Sequence, residues 1–246
     1  PTSTFKLKFE KGIPEEYATM VIIPTIIKTA EKVDQMFDKL EVYYLSNLSD
    51  NLYFTLLGDC SSASTKQTEF DAEIIEAGLR KVNALNEKYN KTLFHFVYRN
   101  RFYSDGESCY LGFERKRGAI IHFNDLLLGN LSEDKKKELF QCQTLDDFKT
   151  PITYIITLDT DTQLVLYSAA KLIGAIAHPI NQAVLSSDGK SVVSGYAIMQ
   201  PRINVDIEVT NKSKYAQLFS GLGGLDVYTT ANFELYQDTF NEGSFV

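Results

Sequence analysis

Apolar runs and one-faced amphipathic stretches take turns along this chain. Met20 to Ile27 (MVIIPTII) is apolar on both faces, the pattern of a strand inside a parallel sheet. Pro24 has no amide hydrogen for a central ladder, so the strand is expected to stop or bulge at Pro24-Thr25. Val33, Met36, Phe37 and Leu40 then recur at helical spacing. Leu52 to Leu57 (LYFTLL) predicts a second strand, closed by Gly58-Asp59 and a serine-rich turn from Ser61 to Ser64. A long helix follows from Glu69 to Tyr89, with Ile74, Ile75, Leu79, Val82, Leu85 and Tyr89 on its apolar face. Leu93 to Tyr98 (LFHFVY) reads as a third strand, and His95 between two phenylalanines reads as a core or face-lining histidine.

Arg101 to Tyr110 reads as a polar loop. Glu114-Arg115-Lys116-Arg117-Gly118 leads into a helix carrying Ile120, Ile121, Phe123, Leu126 and Leu127. Residues 130–149 are polar and charged and read as a surface insertion, with a solvated helix from Glu133 to Glu138. Tyr154 to Leu158 reads as a strand buried on both faces, as in the middle of a parallel sheet, and it ends in Asp159-Thr160-Asp161. A helix from Leu166 to Ala177 is expected to end at His178-Pro179, and a strand from Val192 to Gln200 to end at Pro201-Arg202. Up to Tyr17 the chain reads as irregular. Lys214 to Phe219 reads as helical, before a tail rich in Gly, Tyr and Asn. Strand alternating with helix calls for an α/β fold: a mostly parallel sheet covered by helices on both faces. With no repeat and no interdomain linker, residues 1–246 read as a single domain.

Parallel α/β sheets bind ligands beyond the carboxyl ends of their strands. Thr25, Asp59, Asp159 with Asp161, and Gln200 with Arg202 would all stand on that edge. Two carboxylates spaced i, i+2 are hard oxygen ligands suited to Mg²⁺ or Mn²⁺ bridging to substrate phosphates. The same tripeptide also fits a plain polar strand-to-helix turn. Likewise, Arg115 to Gly118 fits either a diphosphate cradle at a helix N-terminus or a solvated basic turn.

Composition narrows the classes. At 246 residues and 44% apolar content the chain can bury a large core. A net charge of −7 and a pI near 5.1 argue against sequence-independent binding of nucleic acid. Three cysteines without metal spacing suggest free thiols in a reducing compartment. No signal peptide is legible, and the longest apolar run is far too short to cross a bilayer. No Gly-x-Gly-x-x-Gly follows a strand, and neither a P-loop nor a Gly-x-Ser-x-Gly elbow occurs. What remains is an acidic sheet edge suited to metal and phosphate, which points to nucleotide-sugar chemistry.

A set of strand-end motifs then carries a family likeness. Val21-Ile22-Ile23-Pro24-Thr25, Phe54-Thr55-Leu56-Leu57-Gly58-Asp59, Glu114-Arg115-Lys116-Arg117-Gly118, Thr157-Leu158-Asp159-Thr160-Asp161, Ala177-His178-Pro179, Gln200-Pro201-Arg202 and Tyr236-Gln237-Asp238 with Glu242-Gly243-Ser244-Phe245 together resemble the glycosyltransferase domain of cyclic β-1,2-glucan synthases. The likeness runs over nearly the whole chain in the family's order. It implies a GT-A-like nucleotide-binding sandwich akin to the cellulose synthase catalytic domain. It implies an inverting transfer of glucose from UDP-glucose to a growing glucan acceptor. Asp159 and Asp161 match the family's D-x-D, which holds Mg²⁺ or Mn²⁺ on the donor diphosphate. Asp59 matches the acid that contacts uridine, and Thr25 stands in the same nucleotide-binding set. Arg117, Gly118 and Asn124 resemble the Lys-Ala-Gly-Asn segment near the diphosphate and ribose. Gln200 and Arg202 resemble a Gln-Thr-Pro strand end near the donor sugar, and Glu242 begins the acceptor-lining segment.

The chain departs from the pattern in two ways. Ile26-Ile27-Lys28 replace the Tyr-Asn-Glu of related enzymes. The family's general base, in a His-Asp segment, and its Gln-x-x-Arg-Trp element fall beyond Val246, and the chain contains no Trp. The expectation is therefore a C-terminally truncated piece: soluble, inactive alone, and cut from a parent with membrane and C-terminal domains at the cytoplasmic face of the inner membrane. Two other readings stay open. One is a non-catalytic nucleotide- or glycan-binding domain; the other is a GT-A enzyme for a different sugar nucleotide.

Overall fold

The computed structural model describes residues 5–201. The chain divides into two compact units, Lys8–Gly174 and Pro1–Leu7 with Ala175–Val246. The first is built in the order β1 (Thr19–Ile27), α1 (Ala30–Ser46), β2 (Leu52–Cys60), α2 (Glu69–Tyr89), β3 (Phe94–Arg99), β4 (Phe102–Ser104), β5 (Cys109–Leu111), α3 (Arg115–Leu127), α4 (Glu133–Leu139), β6 (Phe140–Gln143) and β7 (Tyr154–Thr157), followed by α5 (Ser168–Ile176). The central sheet has five strands in the order β6-β3-β2-β1-β7. Its β1–β2, β1–β7 and β2–β3 pairs are parallel, and β6 runs antiparallel at one edge.

The alternation of side chains sorts the core into two layers. Val21, Ile23, Phe54, Leu56, Phe94 and Phe96 point to one face, where they pack with Phe37 and Leu40 of α1 and Ile74 and Val82 of α2. Met20, Ile22, Leu57 and Val97 point to the other, beneath Ala119 and Phe123 of α3. Both helices on the first face are well started. The Thr29 hydroxyl accepts from the Lys32 amide ahead of α1, and Asp71 accepts from the Thr68 amide ahead of α2. Gly78 lets α2 sit on the sheet, since a Cβ there would lie 2.2 Å from Phe96.

Several sequence expectations are corrected. β1 does not stop at Pro24; it pairs with β2 through Ile27. The reason is directional. The Ile22 carbonyl faces β7, taking the Leu158 amide at 3.0 Å. Pro24, two residues on, faces the same side, where β7 has already ended at Thr157, so its absent N–H breaks no ladder. Residues 130–149 are not merely a surface insertion, because β6 joins the sheet; Phe140 is buried while its neighbours alternate polar, as suits an edge strand. The polar segment after Arg101 also folds, as the β4–β5 hairpin.

The expected strand at Val192 to Gln200 is shorter and stands elsewhere. In the second unit, β8 (Val184–Leu185) and β9 (Val192–Ser194) form a two-stranded antiparallel hairpin outside the central sheet. A Ser186–Ser191 turn closes it, with Gly189 at φ 69°. Asn181 organises this unit: its side-chain amide donates to the carbonyls of Phe5 and Ala175, and its backbone carbonyl accepts from Tyr196.

His95 is a core histidine, as expected. It is 1% exposed, packs edge-on against Phe148, and shares a 3.3 Å contact with the Thr144 carbonyl. Burial pushes its pKa down from 6.5 to about 4, against a smaller upward pull from that carbonyl. The folded ring therefore stays neutral where the unfolded ring takes a proton. Its stabilising share is complete above pH 6.5 and is lost as pH falls toward 4, at about 1.4 kcal/mol per pH unit. Urea denaturation from pH 7 to 4 should show that slope as the difference between the natural chain and His95→Asn; parallel curves would refute it.

Candidate functional site

Because β1, β2, β3 and β7 are parallel, their carboxyl ends share one edge of the sheet. Thr25, Asp59, Arg99 and Asp159 stand at or just past those ends, and the turn that opens α3 reaches the same edge. A depression of ≈380 Å³, lined by Ile26, Lys28, Thr29, Glu31, Lys32 and Gln35, opens at the end of β1.

The acidic tripeptide is a turn held from two sides. After buried Leu158, the Thr162 amide donates to the Asp159 carbonyl at 3.1 Å, closing the turn. Lys39 of α1 donates to the Thr160 carbonyl at 2.6 Å, and the Tyr43 hydroxyl donates to the Thr162 carbonyl. Partial burial lowers the Lys39 pKa, opposed by the Asp161 carboxylate. Burial raises the Tyr43 hydroxyl to about 12, so it remains a donor at neutral pH. With its backbone fixed, the turn leaves both carboxylates exposed, and Asp159 pairs with Lys116 of α3.

The start of α3 is an unusual turn. Glu114 and Arg115 both take left-handed φ values of 49°. Two such non-glycine residues cost roughly 1–2 kcal/mol each. Their neighbours explain how the turn is held. Arg99 is 0% exposed, and its guanidinium donates to Asp59 at 3.0 Å and to the Phe113 and Arg115 carbonyls at 3.1 Å each. A further 3.1 Å contact joins it to His122 Nδ1. Burial, then the Arg99 charge, lowers the His122 pKa, so a neutral ring accepts from the guanidinium. Gly112 lies on Asp59, where a Cβ would meet a carboxylate oxygen at 2.0 Å. Gly118 lies under the turn, where a Cβ would meet the Phe113 carbonyl at 2.0 Å.

A second ion pair holds the loop after β2. Arg101 binds Asp71 with two hydrogen bonds of 2.5 and 3.0 Å and also donates to the Ser61 carbonyl at 2.7 Å. Tyr98 donates to the same carboxylate at 3.1 Å. Burial pushes the Asp71 carboxyl up, but Arg101, the Thr68 amide and Tyr98 outweigh it and hold its pKa below the ordinary value.

The expected site residues are thus placed unequally. Asp59 is buried and committed to Arg99, while Asp159 and Asp161 are exposed. Arg117 pairs with Glu114 at the surface, and Gly118 is buried. Asn124 lies further along α3 with its side-chain oxygen buried and unpartnered. Gln200 is exposed in the second unit, outside the central sheet. Arg202 and Glu242 lie outside the described residues. Sequence reading missed Arg99, Arg101 and Lys39. The available signal was Tyr98-Arg99-Asn100-Arg101, two arginines spaced i, i+2 at the end of an apolar strand.

Among the described residues no three His, Cys, Asp or Glu side chains converge, so a closed protein cage is absent there. Asp159 and Asp161 stand as two exposed carboxylates without a third.

A mostly parallel sheet with helices on both faces and charged groups gathered at its carboxyl edge is consistent with a nucleotide-binding α/β sandwich, Rossmann-like or GT-A. No protein-family model matches the chain. The chain is 32% identical over 249 residues to cyclic beta-(1,2)-glucan synthase NdvB of Rhizobium meliloti (strain 1021). That alignment takes in 100% of this chain and 9% of the relative, so the chain spans about a tenth of the curated protein it matches. The likeness read from the strand-end motifs therefore holds along the whole chain, which is related to a segment of a cyclic glucan synthase. Among the described residues no helix is long and apolar enough to cross a membrane.

Two outcomes follow from these contacts. Arg101→Ala leaves the Asp71 carboxylate buried and unpaired and should cost about 3–5 kcal/mol in chemical denaturation. Gly118→Ala forces the Phe113 carbonyl away and should cost about 1–3 kcal/mol by the same measurement. Losses within 0.5 kcal/mol would contradict the packing described.

Proposed function

We propose that this chain is the donor-binding part of a glycosyltransferase domain that passes glucose from UDP-glucose to a β-1,2-glucan. The observation that carries the reading is the meeting of Asp159 with Lys116 at the carboxyl edge, where the acidic turn after β7 faces the N-terminus of α3. The chain's relation to a segment of a glucan synthase supports the sugar chemistry.

In this reading Asp159 and Asp161 hold Mg²⁺ or Mn²⁺ on the donor diphosphate. The bound ion supplies charge neutralisation at the departing diphosphate. Lys116, Arg117 and the first amides of α3 add positive charge for the phosphates. The family likeness assigns Thr25 and Asp59 to the nucleoside end and Asn124 to the ribose. The family likeness alone assigns Gln200, Arg202 and Glu242 to the sugar and acceptor. Lys39 and Tyr43 hold the backbone of the acidic turn, so the two carboxylates are presented before ligand arrives. The parent protein would act at the cytoplasmic face of the inner membrane.

Calorimetric titration of UDP into the chain, with and without Mn²⁺, tests this. Binding should require metal, and Asp159→Asn should weaken it by about tenfold or more while leaving the thermal midpoint near that of the natural chain. Metal-independent UDP binding, or full binding by Asp159→Asn, would remove the metal role. In the parent, Asp159→Asn with Asp161→Asn should abolish glucan synthesis; unchanged synthesis would favour a non-catalytic domain.

A further inference from the structure

Arg99 and Asp59 are the most deeply buried ion pair at the candidate edge, with side chains 0% and 5% exposed. Neither the acidic turn nor the surface cations use Arg99 directly. Its contacts converge instead on one short segment. The guanidinium reaches the Phe113 and Arg115 carbonyls, which bracket the two left-handed residues at the start of α3. That segment carries Lys116, the partner of Asp159, and Arg117. Asp59 supplies the counter-charge, and Gly112 and Gly118 leave room for it and for the turn.

We propose that Arg99 is a positioning residue for the donor diphosphate, with Asp59 as its fixed counter-ion. Arg99 pins the turn at 113–115, and the pinned turn presents Lys116, Arg117 and the first amides of α3 to the phosphates. This rests on the donor-site reading above. It reassigns Asp59, the acid matched to a uridine contact, to the anchor: both its oxygens are engaged within the chain, by Arg99 at 3.0 Å and by the Cys60 amide at 3.1 Å. The planar fork of an arginine is needed for this. A lysine keeps the charge beside Asp59 but lacks the rigid guanidinium plane that sets Nη2 against Asp59 and both carbonyls while Nη1 reaches His122.

Hydrogen exchange of the ligand-free chain decides the anchor. In Arg99→Lys the amides of 114–118 should exchange about tenfold faster or more, while those of β1, β2 and α1 keep their natural rates. Unchanged rates at 114–118, or an equal acceleration everywhere, would overturn it, the latter marking a global loss of stability. Asp59→Asn, which keeps the shape of the side chain, decides the role of the acid. With Mg²⁺ present, UDP and inorganic diphosphate should both weaken by the same factor, about tenfold. Weaker UDP binding with unchanged diphosphate binding would return Asp59 to the base and overturn the reassignment. If the natural chain binds neither probe, the donor-site reading fails, and the exchange experiment still judges the anchor by itself.

Discussion

The parallel pairing of β1 with both its neighbours is the constraint on which the first unit depends. It makes β1 a central strand, buries both its faces and forces helical crossovers between strands. It also fixes the polarity of the sheet, so that β1, β2, β3 and β7 end together. Asp59, Arg99 and Asp159 stand at that shared edge because of this. A single antiparallel strand among the four would have sent one of them to the opposite side. The one antiparallel strand, β6, lies at the margin and leaves the edge intact.

The edge combines two kinds of charge. Asp59 with Arg99, and Asp71 with Arg101, are withdrawn from water and hydrogen-bonded on several sides. Such pairs add little net stability, because desolvation offsets attraction, but each holds its surroundings in one geometry. Asp159, Asp161, Lys116 and Arg117 are exposed. Water and salt screen them, so their mutual attraction is weak and they are free to exchange partners. The buried pairs fix the backbone, and the exposed groups remain available to a phosphate or a metal. This division of labour is what a binding edge needs: a rigid frame and solvated, exchangeable charge.

Strain fits the same scheme. The left-handed residues Glu114 and Arg115 stand where the chain must turn sharply from the β4–β5 hairpin into α3. Glycine would relieve that conformation, but the side chain of Arg115 reaches Ser62 across the edge. The glycines are placed on either side instead, at Gly112 and Gly118, where close approach rather than φ demands them. The cost of the turn is offset by the hydrogen bonds of Arg99.

Much of the first unit was legible from sequence because hydrophobic period reports burial directly. The apolar runs of β1, β2 and β3 and the one-sided faces of α1 and α2 need no partner to be read, whereas the run of β7 misleads, because that strand lies half-buried at the margin of the sheet and not in its middle. The acidic pair after β7 was legible even so: an apolar run that stops at two carboxylates marks a strand end. Tertiary structure alone decided the rest. Pro24 is harmless only because β7 ends two residues too early to need its amide. β6 hides in a polar stretch because an edge strand buries one side and a few residues. The hairpin at Val184 to Ser194 carries strand-like residues, yet local apolarity does not tell which strand a segment joins. Arg99 and Asp59, and Arg101 and Asp71, are 40 and 30 residues apart. Local spacing cannot pair charges across such distances. Only the fold brings them together, and burial then makes the pairing obligatory.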